Sequence, residues 1–249
     1  MKKNLLNHFV INHLKSIEQN LSNYIKNKDP ENLHRLRVDL KKINALLSFA
    51  ENVYKEEYNK GMIKPLFSEA GKIREIQINI RILELMLHPP KKIIEQLKNK
   101  ENILTIDFIK CGSRYLSLIK NFRKIIYLPE QLPNKTIIIN YFKSEKNKAN
   151  KKLKKEERGD LHKYRSKIKK LMYVYCALPK KIKKEIEFNE EKINRQQEEL
   201  GDWHDTYSVI SFLSQEHFTS KANEELVKLK EKEKRQFNSL LRNLTNEYM

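Results

Sequence analysis

The sequence predicts an all-α protein made of two pseudo-symmetric antiparallel helical bundles, residues 1–128 and 129–249. Three observations predict it. Apolar residues recur at three- and four-residue spacing over long stretches, as in helices with one buried face. Only 5 Gly and 7 Pro punctuate 249 residues, too few for the many tight turns of a stranded sandwich. A short basic block is also written twice. Leu33-His34-Arg35-Leu36-Arg37-Val38-Asp39-Leu40-Lys41-Lys42-Ile43 returns as Leu161-His162-Lys163-Tyr164-Arg165-Ser166-Lys167-Ile168-Lys169-Lys170-Leu171.

The first helix covers about 4–28, with Leu5, Phe9, Leu14, Ile17, Leu21 and Ile25 at helical spacing. Asp29-Pro30-Glu31 starts the second: a carboxylate at the N-cap, then a proline where its missing N–H costs nothing. That helix carries the first block to about residue 53. A third segment covers about 62–87 and stops before Pro89-Pro90. A fourth covers about 103–127 and stops at Leu128-Pro129. The two blocks lie 128 residues apart, so the first helix start, moved by that distance, falls near residue 132. Pro129-Glu130-Gln131-Leu132-Pro133, the strongest break in the chain, lies there. Break and repeat support each other, and two long copies favour a pair of bundles over a solenoid.

Charge narrows the partners. The chain has 51 Lys+Arg against 32 Asp+Glu, a net charge of +19. Such an excess repels itself in a compact chain and favours polyanions: nucleic acid, phosphate chains or acidic membrane surfaces. No apolar run approaches the roughly 20 residues needed to span a bilayer. Met1-Lys2-Lys3-Asn4 is followed by Asn7, His8, Asn12 and His13 rather than an apolar core, which argues against a secretory leader. Cys111 and Cys176 have no metal-ligand spacing and read as reduced thiols of a cytoplasmic protein.

On a helix, Leu33, Leu36, Leu40, Ile43 and Leu47 share one stripe, as do Leu161, Tyr164, Ile168, Leu171 and Tyr175. These stripes are core. Beside the first, His34, Arg37 and Lys41 lie within about 60° of one another. His162, Arg165 and Lys169 repeat the arrangement, while Arg35, Lys42, Lys163 and Lys170 sit farther round. Cations at such spacing repel one another; the arrangement makes sense if an anion or a facing row of carboxylates neutralises them, the alternative being a solvated basic face. The imidazoles suit hydrogen bonding to an anion and would carry a pH-dependent charge.

A second motif follows each block: Glu69-Ala70-Gly71-Lys72-Ile73-Arg74-Glu75 and Glu199-Leu200-Gly201-Asp202-Trp203-His204-Asp205. Blocks and motifs together resemble the conserved-histidine α-helical domain (CHAD) family, whose second element reads Leu-Gly-x-x-[Arg/Asn]-Asp. The resemblance runs from the first helix to about residue 215. It implies two similar helical bundles around a basic central channel that binds inorganic polyphosphate. The anion ligands it implies are His34, Arg35, Arg37, Lys41 and Lys42 with His162, Lys163, Arg165, Lys169 and Lys170, and also Arg74. It gives Glu75 and Asp205 the task of holding Arg or Lys side chains in place. The chain departs from the pattern at Ala70, Glu75 and His204, and Asp39 stands where the second block has Lys167. The second copy is therefore expected to be the more basic.

Other signals are weaker. The run from Lys146 to Lys155 reads as a solvated helix face, though it precedes the second block and could extend its field. His204-Asp205 resembles the metal pair of an HD-type phosphohydrolase but lacks the further His and Asp ligands that chemistry needs. Glu185-Ile186-Glu187-Phe188-Asn189 ends in Asn where a triphosphatase (CYTH) Glu-x-Glu-x-Lys motif has Lys. Trp203 and Tyr207 read as core. No phosphate-cradling Gly-rich loop, zinc pattern or Ser/His/Asp set is present.

The expectation is a cytoplasmic polyphosphate-binding module, able to associate with polyphosphate granules. It needs no cofactor or metal, has no catalysis of its own and has no membrane partner. Non-specific nucleic-acid binding is the main alternative, and an enzyme of phosphate metabolism the second.

Overall fold

A computed structural model describes residues 5–214 and 220–246 of the chain; Met1–Asn4, part of the leader argument, lie outside them. Among the described residues there are ten α-helices and no strand. The helices are α1 (Leu5–Asn27), α2 (Pro30–Tyr54), α3 (Lys64–Glu84), α4 (Lys91–Lys110), α5 (Gly112–Ile125), α6 (Lys135–Leu153), α7 (Arg158–Ala177), α8 (Lys180–Lys183), α9 (Glu190–Leu213) and α10 (Ser220–Asn246). A 3₁₀ turn, Lys60–Ile63, leads into α3. Among the described residues, no helix is long and apolar enough to cross a membrane.

The start of α2 follows from its sequence. Asp29 caps the helix, its Oδ1 accepting from the Glu31 N–H at 3.0 Å, and Pro30 occupies the first turn. The helix ends where Lys55 turns left-handed, φ 61°, and its N–H returns to the Glu51 carbonyl. Both apolar stripes are core: Leu33, Leu36, Leu40, Ile43 and Leu47 are buried, and so are Leu161, Tyr164, Ile168, Leu171 and Tyr175. At about 1.5–3 kcal/mol for each fully buried large side chain, this burial fixes which face of α2 and of α7 turns outward.

Two elements differ from the sequence reading. A helix, α4, begins directly after Pro89-Pro90, and the segment expected at 103–127 is broken between α4 and α5. Proline at the start of a helix is permitted, so the pair that ends one segment also begins another. Gly112 lies where α5 packs on α1: a Cβ there would stand 2.6 Å from Ile25 Cδ1, so that side chain would have to shift.

Packing divides the chain into two compact units. The first comprises Met1–Arg74, Asn102–Lys146 and Lys169–Phe188; the second comprises Glu75–Glu101, Asn147–Ile168 and Asn189–Met249. Each half of the sequence contributes to both units. The first is built on α1 packed against α2 and α5, with Tyr24 Oη and Thr105 Oγ1 3.2 Å apart inside it. In the second, α9 packs on α10. Glu233 there accepts from Trp203 Nε1 and, through both carboxylate oxygens, from Arg158, all at 2.8 Å. Trp203 is fully buried, as its spacing predicts. A charged carboxylate inside a core is costly unless its oxygens are satisfied, and these donors satisfy both.

Candidate functional site

In the first unit, α2 turns His34, Arg37 and Lys41 out beside its buried stripe. Arg37 is held in one orientation: Nη1 donates to the Phe67 carbonyl oxygen at 2.7 Å, and the guanidinium lies over the Phe67 ring, 4.5 Å from its centre. The glycine of the downstream motif makes room for it. A Cβ on Gly71 would stand 2.5 Å from Arg37 Nη1.

His34 reports what surrounds it. Its pKa lies below the ordinary imidazole value, first because it is partly buried and then because of Arg74; Glu31 opposes the shift, and Lys41 and Lys169 add to it. Lys169 comes from the second block and Arg74 from the second motif, so folding gathers cations from three parts of the sequence around one imidazole. Lys41 is exposed, whereas Lys169 and Arg74 are half-buried.

The flanking cations are turned elsewhere. Arg35 pairs with Glu31 at 3.0 Å and Lys42 with Asp39 at 3.5 Å. Both line a hollow shared with His13 and Asn12 of α1. Lys163 likewise pairs with Asp160 at 3.1 Å, and Lys170 is exposed. Each of these three pairs joins side chains three or four residues apart on one helix, where neighbours in sequence meet readily. Asp39 does not weaken the stripe, because it is buried against α1 with His13 Nδ1 2.8 Å from its Oδ1. Burial alone would raise its pKa, but His13, Ser16 and Lys42 outweigh burial and hold the carboxyl low.

In the second unit, His162 stacks on His204, ring centres 4.5 Å apart, and Arg165 lies near Gly201, whose Cβ position is 3.6 Å from Arg165 Nη2. Asp205 sits among these cations. Arg81 Nη2 donates to Asp205 Oδ2 at 3.3 Å, and His204 Nδ1 lies 3.9 Å from Oδ1. Burial works to raise the Asp205 pKa, yet His204, Arg81 and Arg165 together hold it below the usual carboxylate range. Asp205 is thus met by cations from separate parts of the sequence. Glu75, in contrast, is exposed, with no ion pair to it among the described residues.

Sequence reasoning missed Phe67 and Arg81. No pattern in the block points to either, since Phe67 lies 30 residues from Arg37 and Arg81 lies 124 from Asp205. The near-match Glu185–Asn189 serves structure instead. Lys135 pairs with Glu185, Phe188 stacks on Tyr175 at 4.7 Å, and Asn189 caps α9 by accepting from the Lys192 N–H. A lysine at 189 could not cap in this way. In the lysine-rich run, Lys148, Lys151, Lys154 and Lys155 are exposed, in keeping with a solvated face.

The family model for the CHAD domain matches residues 9–214. Among solved structures, the crystal structure of the CHAD domain from the plant Ricinus communis is similar. The TM-score is 0.64 with 13% sequence identity, over 97% of this chain and 86% of that one. At that identity the likeness is one of fold. No curated protein matches the chain. The matched residues end at Leu213-Ser214, so α10 lies beyond them.

Proposed function

The chain belongs to the CHAD domain family, and on that premise we propose that it binds inorganic polyphosphate through the basic faces of α2 and α7, without catalysis of its own. One observation carries the reading: Lys41, Arg74 and Lys169, from separate parts of the sequence, bear on the single imidazole of His34. Cations gathered around one imidazole raise the local positive potential, which favours a polyanion.

The proposed mechanism is electrostatic. Phosphate units meet Lys41 and Lys169 as point charges, while Arg37, fixed by Phe67, offers a planar guanidinium in one orientation. Counterions released from the polymer supply much of the free energy. The surroundings of His34 favour its neutral form; a bound phosphate raises its pKa, so that protonation adds a donor and a charge. A cytoplasmic protein of this kind would be drawn to polyphosphate deposits.

The test is a titration with long-chain polyphosphate and with single-stranded RNA of matched charge, at low and near-physiological salt. Polyphosphate binding that survives salt while RNA binding collapses supports the reading. Affinities that fall together would mean that the net charge alone attracts polyanions, and the nucleic-acid alternative would replace it.

A further inference from the structure

Beside the cationic stripe, within the first unit, the structure holds a cavity of about 320 Å³. Its walls are mainly Leu40, Ile63 and Phe67, with the Asn44 amide set among them and Lys41 and Lys64 also lining it. A third lysine, Lys60, is engaged by Glu51 and by Ser48. The volume and the mix of apolar wall with few polar groups are those of a small-molecule site. Lys41 belongs both to this cavity and to the stripe that runs through Arg37 to His34.

The lining selects the ligand. An apolar ligand without charge would make no use of the positive charge of Lys41 and Lys64, and a bare phosphate chain would leave Leu40, Ile63 and Phe67 unused. An alkyl phosphate would offer the Asn44 amide no partner within the apolar walls. A purine or pyrimidine base uses all three features. Its face packs on Phe67, its edge presents the donors and acceptors that an amide can pair, and the phosphates attached to its ribose reach lysine.

We propose that this cavity binds the nucleoside of a free nucleoside polyphosphate, with Phe67 and Asn44 holding the base and Lys41 meeting the phosphates. The proposal rests in part on the polyphosphate reading, because Lys41 serves both.

The experiment is calorimetric titration of the full chain with ATP, tripolyphosphate and adenosine. ATP should bind about tenfold or more tightly than tripolyphosphate, the margin that one stacked and hydrogen-bonded base supplies. Asn44→Ala and Gly61→Leu should close that gap. The second is tolerated by the backbone, since a Cβ at Gly61 meets only Asn59 Oδ1, at 3.5 Å. Equal binding of ATP and tripolyphosphate by the unaltered protein would overturn the proposal, as would a gap that survives both variants. A short RNA with a 5′-triphosphate is the third arm: if it bound as tightly as ATP, the assignment to a free nucleotide would fail. Long-chain polyphosphate, titrated into the same proteins, separates the two readings. Polyphosphate binding without ATP preference removes the cavity site alone; ATP preference without polyphosphate binding removes the polyphosphate reading and leaves the cavity site standing.

Discussion

The two copies of the basic block place the same residue types in opposite electrostatic settings. Around His34 in the first unit, Arg74, Lys41 and Lys169 favour the neutral imidazole and Glu31 opposes them. Around Arg165 in the second unit, Asp205 already answers the positive charge, drawing on Arg81 and His204 as well. The copies also differ in fit. Arg37 is wedged against Gly71 and locked to Phe67, whereas Arg165 has ordinary clearance at Gly201. A repeat read from sequence therefore does not give two equal sites. The sequence expectation that the second copy is the more basic counted Asp39 against the first, but Asp39 turns away to His13.

The sharpest way to break this comparison is to remove each arginine. Arg37→Ala should weaken polyphosphate binding by roughly 1–3 kcal/mol, as for a charge-assisted hydrogen-bonded contact. Arg165→Ala should weaken it by less, because Asp205 shares that charge. Mutating Lys152 and Lys154 should cost less than either. Equal losses for the two arginines, measured by titration, would show that the carboxylate in the second copy does not matter.

Glycine substitutions probe fit rather than charge. Gly71→Ala should lower affinity by displacing the Arg37 guanidinium, while helix stability changes little, since alanine is favoured over glycine by about 1 kcal/mol in a helix interior. Gly201→Ala should leave affinity unchanged and raise the melting temperature slightly. Thermal melts and titrations on the two variants decide the matter; the same loss in both would contradict the difference in clearance.

A smaller effect is expected at Asp205. Asp205→Asn removes the anion from the second copy, so polyphosphate affinity should rise a few-fold, with a stability loss of about 0–1 kcal/mol from the partly exposed pair with Arg81. Weaker binding instead would mean that Asp205 acts mainly by holding Arg165 or Arg81 in place.

The smallest effect is with pH. His34 has a folded-state pKa below its unfolded value near 6.5. Its contribution to stability is therefore present above the unfolded value and is lost as pH falls through the folded one. A bound polyanion works the other way, raising the His34 pKa, so affinity should strengthen as pH falls from 8 to 6. His34→Gln should flatten both trends, and an unchanged pH profile in that variant would take His34 out of the site.

Much of the fold was legible in the residues. The Asp29-Pro30 start of α2 and the two apolar stripes lie where spacing and capping chemistry put them. The break at 111–112 was not; it lies where α5 meets Ile25 of another helix at Gly112. The candidate site was legible only in part. His34, Arg37 and Lys41 share a helix, and helical periodicity places them together. Arg35, Lys42 and Lys163 looked equivalent in the motif, yet each has a carboxylate within one turn and turns to it.

The sequence by itself determined what depends on neighbours along the chain: helix starts, the buried face of each helix, and the basic stripe beside it. These follow from a period of 3.6 residues and from capping groups a few positions away. Only the tertiary structure decided which charges share a field and what holds them. Lys169 and Arg74 reach His34, Phe67 fixes Arg37, and Arg81 answers Asp205, although each pair is far apart in sequence. Coulomb forces and packing depend on distance in space, and that distance exists only once the helices have packed.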